Sequence, residues 1–415
     1  MSTDTHTHPF AFEYHPGAIR YGSGITTELA AELDRLHRSR ALVVCGSTVG
    51  STPAVIDPVR EGLGDRLVGV FDRTTPEKYL ATAVQGAKLM RERDIDVLVS
   101  LGGGSSLDTA KIMSGLAAHD GSIDDVAATI IEREVMSFPD TGTSLTPLIA
   151  IPTTLAGADL SIAAGVNLSL HPSATPNTEI PSSGVSDPRL MPTALFYDPK
   201  LFATTPEHVL TASAMNGFDK GIEVLYAKTA TPITDATAMR GLRLLRAGLP
   251  ALADADGVAD GDALRQVVTG IILVQYGAST PTTNRLSIIH AFGHGFARRY
   301  EISQGAVHGI VAPHVLQYLF DKVYAGRDLL AEALSGQVAV DNQDEEAVAA
   351  IVVDQVTMVR DALALPSQLR VINGLEKNHL SEIAGAILED SFMTNVPPGS
   401  EPTAGEVETL LNKAW

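Results

Sequence analysis

The stretch LVSLGGGSSLDTAKIM, residues 98–113, decides the fold that we expect for this chain. A short apolar run leads into Gly102, Gly103 and Gly104, and a helical pattern begins soon afterwards. Because glycine lacks a Cβ atom, a backbone of this kind approaches a diphosphate closely, and the N–H groups of a helix N-terminus attract its charge. The segment therefore predicts a strand–turn–helix that binds a dinucleotide phosphate. A tight turn that binds nothing is the alternative.

The rest of the first half alternates apolar runs with amphipathic segments such as residues 76–94. Buried strands are predicted at residues 40–46, 96–104, 147–154 and 194–199. This βαβ alternation is typical of a parallel sheet covered by helices. Residues 168–192 are rich in Pro, Ser and Thr and predict an exposed loop or hairpin before the last strand.

From about residue 204 onward the pattern changes to helical periodicity with few strand signals. We therefore predict an α/β dinucleotide-binding domain over residues 1–203, built on a parallel sheet. Residues 204–415 are predicted to form an all-α domain.

Composition excludes several classes of function. The chain has 415 residues and a formal net charge of -19, which argues against binding to nucleic acid or anionic membranes. Its one cysteine, Cys45, excludes an intramolecular disulfide and a cysteine-based zinc site. No apolar run reaches the roughly 18 residues of a membrane span, and the N-terminus lacks the basic and apolar regions of a secretory signal. We expect a cytoplasmic protein.

The strand ends of the first half supply the predicted cofactor contacts. Gly46 follows a predicted strand where dinucleotide sites often hold an acidic residue for the ribose 2′-hydroxyl, so both NADH and NADPH are compatible. Thr153 and Thr154 end another strand with hydroxyl groups that reach toward phosphate or ribose. The predicted cofactor-binding residues are Gly46, Gly102, Gly103, Gly104, Ser105, Asp108, Thr153 and Thr154.

The segments GGGSSLDTAK (102–111) and IPTTLAGADLS (151–161), in this order, resemble the iron-containing alcohol dehydrogenase superfamily. Within it the chain is most similar to the maleylacetate reductase branch, and the resemblance covers nearly the whole sequence. Residues 12–33 look like the family's opening hairpin and first helix. The resemblance implies a cofactor between two domains and hydride transfer between NAD(P)H and a carbonyl or enone carbon of a small molecule. We also expect a homodimer.

The resemblance also assigns the positions of the metal ligands, which are one Asp and three His residues in metal-dependent members. These positions hold Asn216, Lys220, His290 and Gln304 in this sequence. Asn and Gln are weak neutral ligands, and a protonated Lys repels a dication. Since one ligand of four remains, we expect no tightly bound metal.

Polar residues around these positions are candidates for catalysis. His290 and His294 are four residues apart and lie on one side of a predicted helix. The resemblance implies that His294 lies near the nicotinamide and takes part in proton transfer, and that His308 matches a His of the reductase branch. A structural polar pair is the alternative for the two helical histidines. The candidates are Lys220, His294, His290, Asn216, Gln304 and His308.

Lys220 itself has two interpretations. It forms a structural ion pair with Asp219, Glu223 or another carboxylate, or its ammonium replaces the charge of the metal and stabilises an enolate or alkoxide. Asp108 and Lys111 either form a second charged pair near the cofactor or, as is more common, only cap the helix. Arg285, Arg298 and Arg299 flank the histidine helix and are either carboxylate-binding or surface residues.

Three functions follow from these patterns. The first is a metal-independent, NAD(P)H-dependent reductase of a small oxo or enone substrate. The second is a non-redox lyase, isomerase or cyclase that uses the same fold with an emptied metal site. The third is a nucleotide-binding relative without catalytic activity.

Overall fold

The computed structural model describes residues 9–170, 181–253, 261–336 and 344–415. Residues 171–180, within the predicted loop at 168–192, lie outside the described part of the chain. The chain divides into two compact units, an α/β unit and a helical unit. The α/β unit comprises Tyr14–Thr154 and Ala158–Thr204. The helical unit comprises Thr205–Trp415, Leu155–Gly157 and the described residues of Met1–Glu13.

The α/β unit is built on a sheet with the strand order β1-β8-β5-β4-β2-β3, and its pairings are parallel. The sheet strands are β1 (Ala18–Tyr21), β2 (Ala41–Gly46), β3 (Leu67–Thr74), β4 (Val97–Gly102), β5 (Leu148–Pro152) and β8 (Ala194–Tyr197). Strands β6 (Ala163–Asn167) and β7 (Ser182–Ser186) form a separate antiparallel pair.

Helices cover both faces of this sheet, and a hydrophobic core lies on each side of it. The helices are α1 (Leu29–Arg35), α2 (Ser47–Ser51), α3 (Pro53–Leu63), α4 (Leu80–Glu92), α5 (Gly104–Ala117), α6 (Ile123–Arg133) and α7 (Pro199–Phe202). The central strands β4 and β5 are buried along their whole length. Their continuous apolar sequences are therefore those of strands sandwiched between helices.

The hairpin expected within residues 12–33 is wrong. The strand found there, β1, pairs in parallel with β8, so that Ala18 lies opposite Ala194. The chain enters the sheet as an edge strand whose partner comes more than 170 residues later. Local sequence does not encode a partner at that distance.

The helical unit contains long helices and one very short hairpin. Its helices are α8 (Glu207–Tyr226), α9 (Pro232–Ala253), α10 (Asp262–Gln275), α11 (Ile288–Ala297), α12 (Gln304–Lys322), α13 (Arg327–Ser335), α14 (Glu345–Ala362), α15 (Leu380–Leu388) and α16 (Ala404–Lys413). The hairpin joins β9 (Ser279–Thr280) to β10 (Thr283–Asn284), so the strand at 194–199 is the last of the sheet but not of the chain.

Helix α8 packs against α9, α10 and α12, and α11 packs against α12. Close approach of α12 to α8 depends on Gly305, because a Cβ atom there would lie 1.8 Å from the carbonyl oxygen of Ala212. This approach brings the first residue of α12, Gln304, beside Asn216 of α8. The packing of three helices thus brings together the residues of the predicted catalytic group.

The predicted fold class, an N-terminal α/β domain with a parallel sheet and a helical C-terminal domain, is confirmed. Within the described ranges, no helix is both long and apolar enough to cross a membrane.

Candidate active site

The glycine loop joins β4 to α5 in the α/β unit. Gly102 has a φ of 135°, a conformation that side chains with a Cβ rarely adopt, and Gly103 precedes the first residue of the helix. A Cβ atom on Gly103 would lie 3.2 Å from Cγ2 of Thr154, so glycine keeps the backbone accessible there. The N-cap residue of α5 is Gly103, which has no side chain to cap the helix, so this end of α5, with the amide of Ser105, is suited to an anion.

The other predicted cofactor residues surround this loop. The amide of Thr153 donates to the carbonyl of Gly102 at 3.0 Å. Gly46 ends β2, and a Cβ atom there would lie 3.3 Å from the carbonyl oxygen of Thr74. These residues thus lie at the carboxyl ends of the neighbouring strands β2, β4 and β5, where open parallel sheets bind dinucleotides. The buried pair of hydroxyls from Thr74 and Ser106, 3.0 Å apart, was not predicted.

The predicted pair of Asp108 and Lys111 is wrong. The carboxylate of Asp108 accepts hydrogen bonds from Nζ of Lys78 at 3.0 Å and from the amide of Gly165 at 3.1 Å. The ammonium of Lys111 instead donates to two backbone carbonyls at the start of β6, at 2.7 and 2.9 Å. Both side chains therefore hold the β6 segment against α5. A cofactor contact of Asp108 stays a prediction.

In the helical unit, His290 lies at the centre of the predicted catalytic group. Its Nδ1 is 2.7 Å from Oε2 of Glu223, and its Nε2 is 3.1 Å from Oδ1 of Asn216. The amide nitrogen of Asn216 is in turn 3.4 Å from Oε1 of Gln304. Four side chains from three helices are therefore linked in one hydrogen-bonded row, which we call the Glu223–Gln304 chain.

Glu223 is completely buried and lies under the N-terminus of α11. Its two oxygens accept the backbone amides of Ser287 and Ile289 at 2.8 Å and that of His290 at 3.2 Å. The hydroxyl of Tyr226 donates to it at 3.0 Å. Burial raises the pKa of Glu223, and the backbone amides and the neighbouring donors oppose that rise.

His308 extends the group on the other side of His290. The two rings meet edge to face with centroids 4.5 Å apart. Nδ1 of His308 is 3.0 Å from Oδ2 of Asp219, but among the described residues neither group has a well-aligned hydrogen bond. Burial lowers the pKa of His308 to about 4, and burial together with Glu223 raises the pKa of Asp219 well above its usual range. Both shifts favour the uncharged form of the group.

Lys220 supplies the positive charge of this region. It lies one helical turn after Asn216 on α8, and its ammonium donates to the carbonyl of Gly157, which has a φ of 65°. Burial, then His308, then Lys220 lower the pKa of His290 well below its usual range, so the imidazole is neutral. Lys220 also lowers the pKa of His308. One cation thus acts electrostatically on two neutral histidines.

His294 has a carboxylate partner that sequence analysis missed. Its Nδ1 lies 2.9 Å from Oδ2 of Asp390, and its ring stacks on Phe392 at 5.0 Å between centroids. Nη2 of Arg298 is 3.2 Å from the same carboxylate oxygen. Burial lowers the pKa of His294, and the carboxylate of Asp390 opposes this shift. Because a carboxylate only accepts, the contact with Asp390 favours the Nδ1–H tautomer, although Nη2 of Arg298 also lies 3.2 Å from Nδ1.

The three candidate arginines have partners of their own. Arg285 is not a surface residue, because it is only 3% exposed and donates to the carbonyls of Thr229 and Gly277. Arg298 contacts Asp390, and Arg299 contacts Glu382 at 2.8 Å.

The residues at the family's metal-ligand positions do not fit a divalent ion. An ammonium stands at one of them, and the two amides are bonded to each other. In the described ranges, no group of three or more His, Cys, Asp or Glu side chains is arranged to hold a metal.

The fold and the glycine loop are typical of a dinucleotide-binding protein. The model of the family "Iron-containing alcohol dehydrogenase" matches residues 16–199, and that of "Fe-containing alcohol dehydrogenase family, C-terminal" matches residues 210–415. The chain therefore belongs to the iron-containing alcohol dehydrogenase family, whose members are oxidoreductases. The predicted family and the predicted enzyme class are both confirmed.

Several known proteins are similar to this chain. NAD-dependent methanol dehydrogenase of Bacillus methanolicus is 28% identical over 73% of this chain and 74% of the relative. Maleylacetate reductase of Sphingobium indicum is 27% identical over 88% and 91%, which agrees with the branch expected from sequence. The structure of a 1,3-propanediol oxidoreductase has the same fold, with a TM-score of 0.82, 20% identity and coverage of 98% and 100%.

Proposed function

We propose that the protein is a metal-independent reductase that uses NADH or NADPH to reduce a small oxo or enone substrate of the maleylacetate kind. The observation that carries the proposal is the ammonium of Lys220 among the neutral rings of His290 and His308. A cation in such surroundings favours negative charge on a substrate oxygen. The curated relatives named as NAD-dependent methanol dehydrogenase and maleylacetate reductase support the reaction class.

The glycine loop fits a dinucleotide. The amides at the start of α5 would hold the diphosphate, with Thr153 and Thr154 beside it, and Gly46 leaves room for the ribose 2′-position. When bound, the nicotinamide supplies the hydride and is oxidised by two electrons.

Lys220 is proposed to stabilise and protonate the substrate oxygen. When a hydride adds to the carbonyl carbon, the π-electron pair of the C=O bond moves to oxygen. The ammonium attracts this charge and donates one proton, so that the carbonyl becomes an alcohol. For an enone, the same charge is stabilised as an enolate.

His294 is proposed to exchange protons with solvent. Its side chain is 27% exposed, and Asp390 holds Nδ1, so Nε2 is the atom that gains and loses a proton. A neutral imidazole is suited to this role near neutral pH.

The first experiment is a spectrophotometric assay of NADH and NADPH oxidation with maleylacetate and a panel of 2-oxo acids and aldehydes. Oxidation with any of them supports a reductase. Cofactor binding without oxidation, accompanied by conversion of a substrate, favours the non-redox alternative. We propose a homodimer, which sedimentation equilibrium tests, and a cytoplasmic location, which rests on the composition of the sequence.

A further inference from the structure

We infer that Glu223 orients the Glu223–Gln304 chain so that Asn216 donates a hydrogen bond to the substrate oxygen. Glu223 is then a positioning residue, and Asn216 touches the substrate. The identity of the substrate rests on the proposed function, whereas the orientation of the chain does not. The ligand class that follows is an oxygen acceptor, namely a carbonyl, enolate or alkoxide.

The direction of the hydrogen bonds in the Glu223–Gln304 chain is set at Glu223, which is surrounded by hydrogen-bond donors. Three backbone amides and the hydroxyl of Tyr226 point at its carboxylate, and α11 begins above it. Since both oxygens of Glu223 already accept backbone amides, Nδ1 of His290, 2.7 Å from Oε2, is the donor in this contact.

The next link is the amide of Asn216. A neutral His290 with a proton on Nδ1 presents a lone pair at Nε2, which requires a donor at 3.1 Å. Asn216 meets this requirement when its amide is turned so that Nδ2 faces the ring. Oxygen and nitrogen of an amide are assigned from such networks, and here the network selects one orientation.

The contact of Gln304 is compatible with this orientation of Asn216. Within the described part of the chain, its buried Nε2 has no hydrogen-bond acceptor, although Oε1 lies 3.4 Å from the amide of Asn216. Turning both amides places Nε2 of Gln304 opposite Oδ1 of Asn216 and gives its N–H an acceptor, while Oε1 takes the buried position that Nε2 leaves. All links then run in one direction, from Gln304 to Asn216 to His290 to Glu223.

The consequence concerns the second N–H of Asn216. One hydrogen on Nδ2 bonds His290, and the other remains for a ligand, because Asn216 is only partly buried. Lys220 follows one turn later on the same face of α8. Asn216 stands where metal-dependent members of the family have an acidic metal ligand. In this protein it is a neutral hydrogen-bond donor, one helical turn from the ammonium of Lys220.

The direct test is 15N NMR of the protein labelled at histidine, without cofactor or substrate. The inference predicts a protonated Nδ1 and an unprotonated Nε2 for His290, assigned with His290→Asn. Glu223→Gln is expected to shift the ring toward the Nε2–H tautomer. Asp219→Asn, which alters the other buried carboxyl of α8, is expected to leave His290 unchanged. A protonated Nε2 in the unaltered protein overturns the inference.

A kinetic test then examines the donor role. Asn216→Asp and Asn216→Ala are each expected to lower kcat about 100-fold, as removal of an oxyanion donor does. Asn216→Asp retaining kcat within about twofold would overturn the donor role. If no substrate is reduced at all, the proposed function fails while the NMR result still decides the orientation of the chain.

Discussion

Oδ2 of Asp390 lies 2.9 Å from Nδ1 of His294, although 96 residues separate them in sequence. The carboxylate follows α15, and the histidine lies on α11, which packs against that helix. This contact gives His294 a defined tautomer. It resembles the way that carboxylates orient catalytic histidines elsewhere.

Loss of the carboxylate should impair proton transfer. Asp390→Asn is expected to lower kcat about 10- to 100-fold, because the correct tautomer is no longer favoured. Asp390 raises the pKa of His294 against the larger effect of burial, so its removal lowers that pKa further. The limb of the pH–kcat profile that belongs to His294 should therefore move to lower pH.

A matched control is Glu382→Gln, which removes the carboxylate that contacts Arg299 on the same side of α11. It should leave the profile unchanged. An unshifted profile in Asp390→Asn would refute the orienting role of Asp390.

Lys220 should be required for turnover. Lys220→Met keeps the length of the side chain but removes its charge, and we expect kcat to fall about 100- to 1,000-fold because negative charge on the substrate oxygen is no longer stabilised. Steady-state kinetics with NADH or NADPH measure this. Lys228→Met, at an exposed lysine just beyond α8, is the control and should retain full activity. Unchanged turnover in Lys220→Met would show that the lysine only anchors the Gly157 carbonyl.

Gly46 should govern tolerance of NADPH. Gly46→Asp places a carboxylate where the ribose 2′-phosphate is expected, and the ratio of kcat/KM for NADPH over NADH should fall at least 10-fold by repulsion. Gly46→Asn introduces a side chain of the same size without the charge, so the same ratio of kcat/KM values should fall much less. Equal ratios in the two variants would mean that the 2′-position lies elsewhere.

Glu32 should make stability sensitive to acid. Its carboxylate is completely buried between Arg20 and Arg35, with Nε distances of 2.8 and 2.9 Å. Burial raises the pKa of Glu32, but hydrogen bonds from both arginines outweigh this, so the pKa lies below its ordinary value of 4.5. The stabilisation is present above pH 4.5 and is lost as pH falls through the lower folded-state value.

Glu32→Gln should therefore lower the free energy of unfolding by about 2 kcal/mol at pH 7, as loss of a hydrogen-bonded charge does, and reduce its dependence on pH below 4.5. Denaturant unfolding at several pH values measures both effects. Asp57→Asn breaks an exposed contact with Arg60 and should cost under about 1 kcal/mol. Equal losses in the two variants would contradict this account of Glu32.

Local pattern was enough to predict the sheet, the glycine turn and the helical second half. The apolar runs at β2, β4 and β5 and the glycines at 102–104 carry their conformations within a few residues. The prediction of an opening hairpin was wrong because the partner of β1 is β8, and no local sequence signal encodes that contact.

The sequence was enough to predict most residues of the candidate site, but not the hydrogen bonds that link them. His290, Asn216 and Gln304 were named from the resemblance, and the packing of α8, α11 and α12 brings them together. Glu223 was considered only as a partner of Lys220, although its position under α11 links it to His290. Asp390 was missed because its contact with His294 depends on the packing of α15.

The central claim is that reduction proceeds without a metal ion. It is tested most directly by measuring NADH and NADPH oxidation with maleylacetate and small oxo substrates before and after exhaustive treatment with EDTA. We predict the same turnover in the treated protein, and no stimulation by added Fe²⁺ or Zn²⁺. Turnover that disappears with EDTA and returns with either ion would contradict the claim.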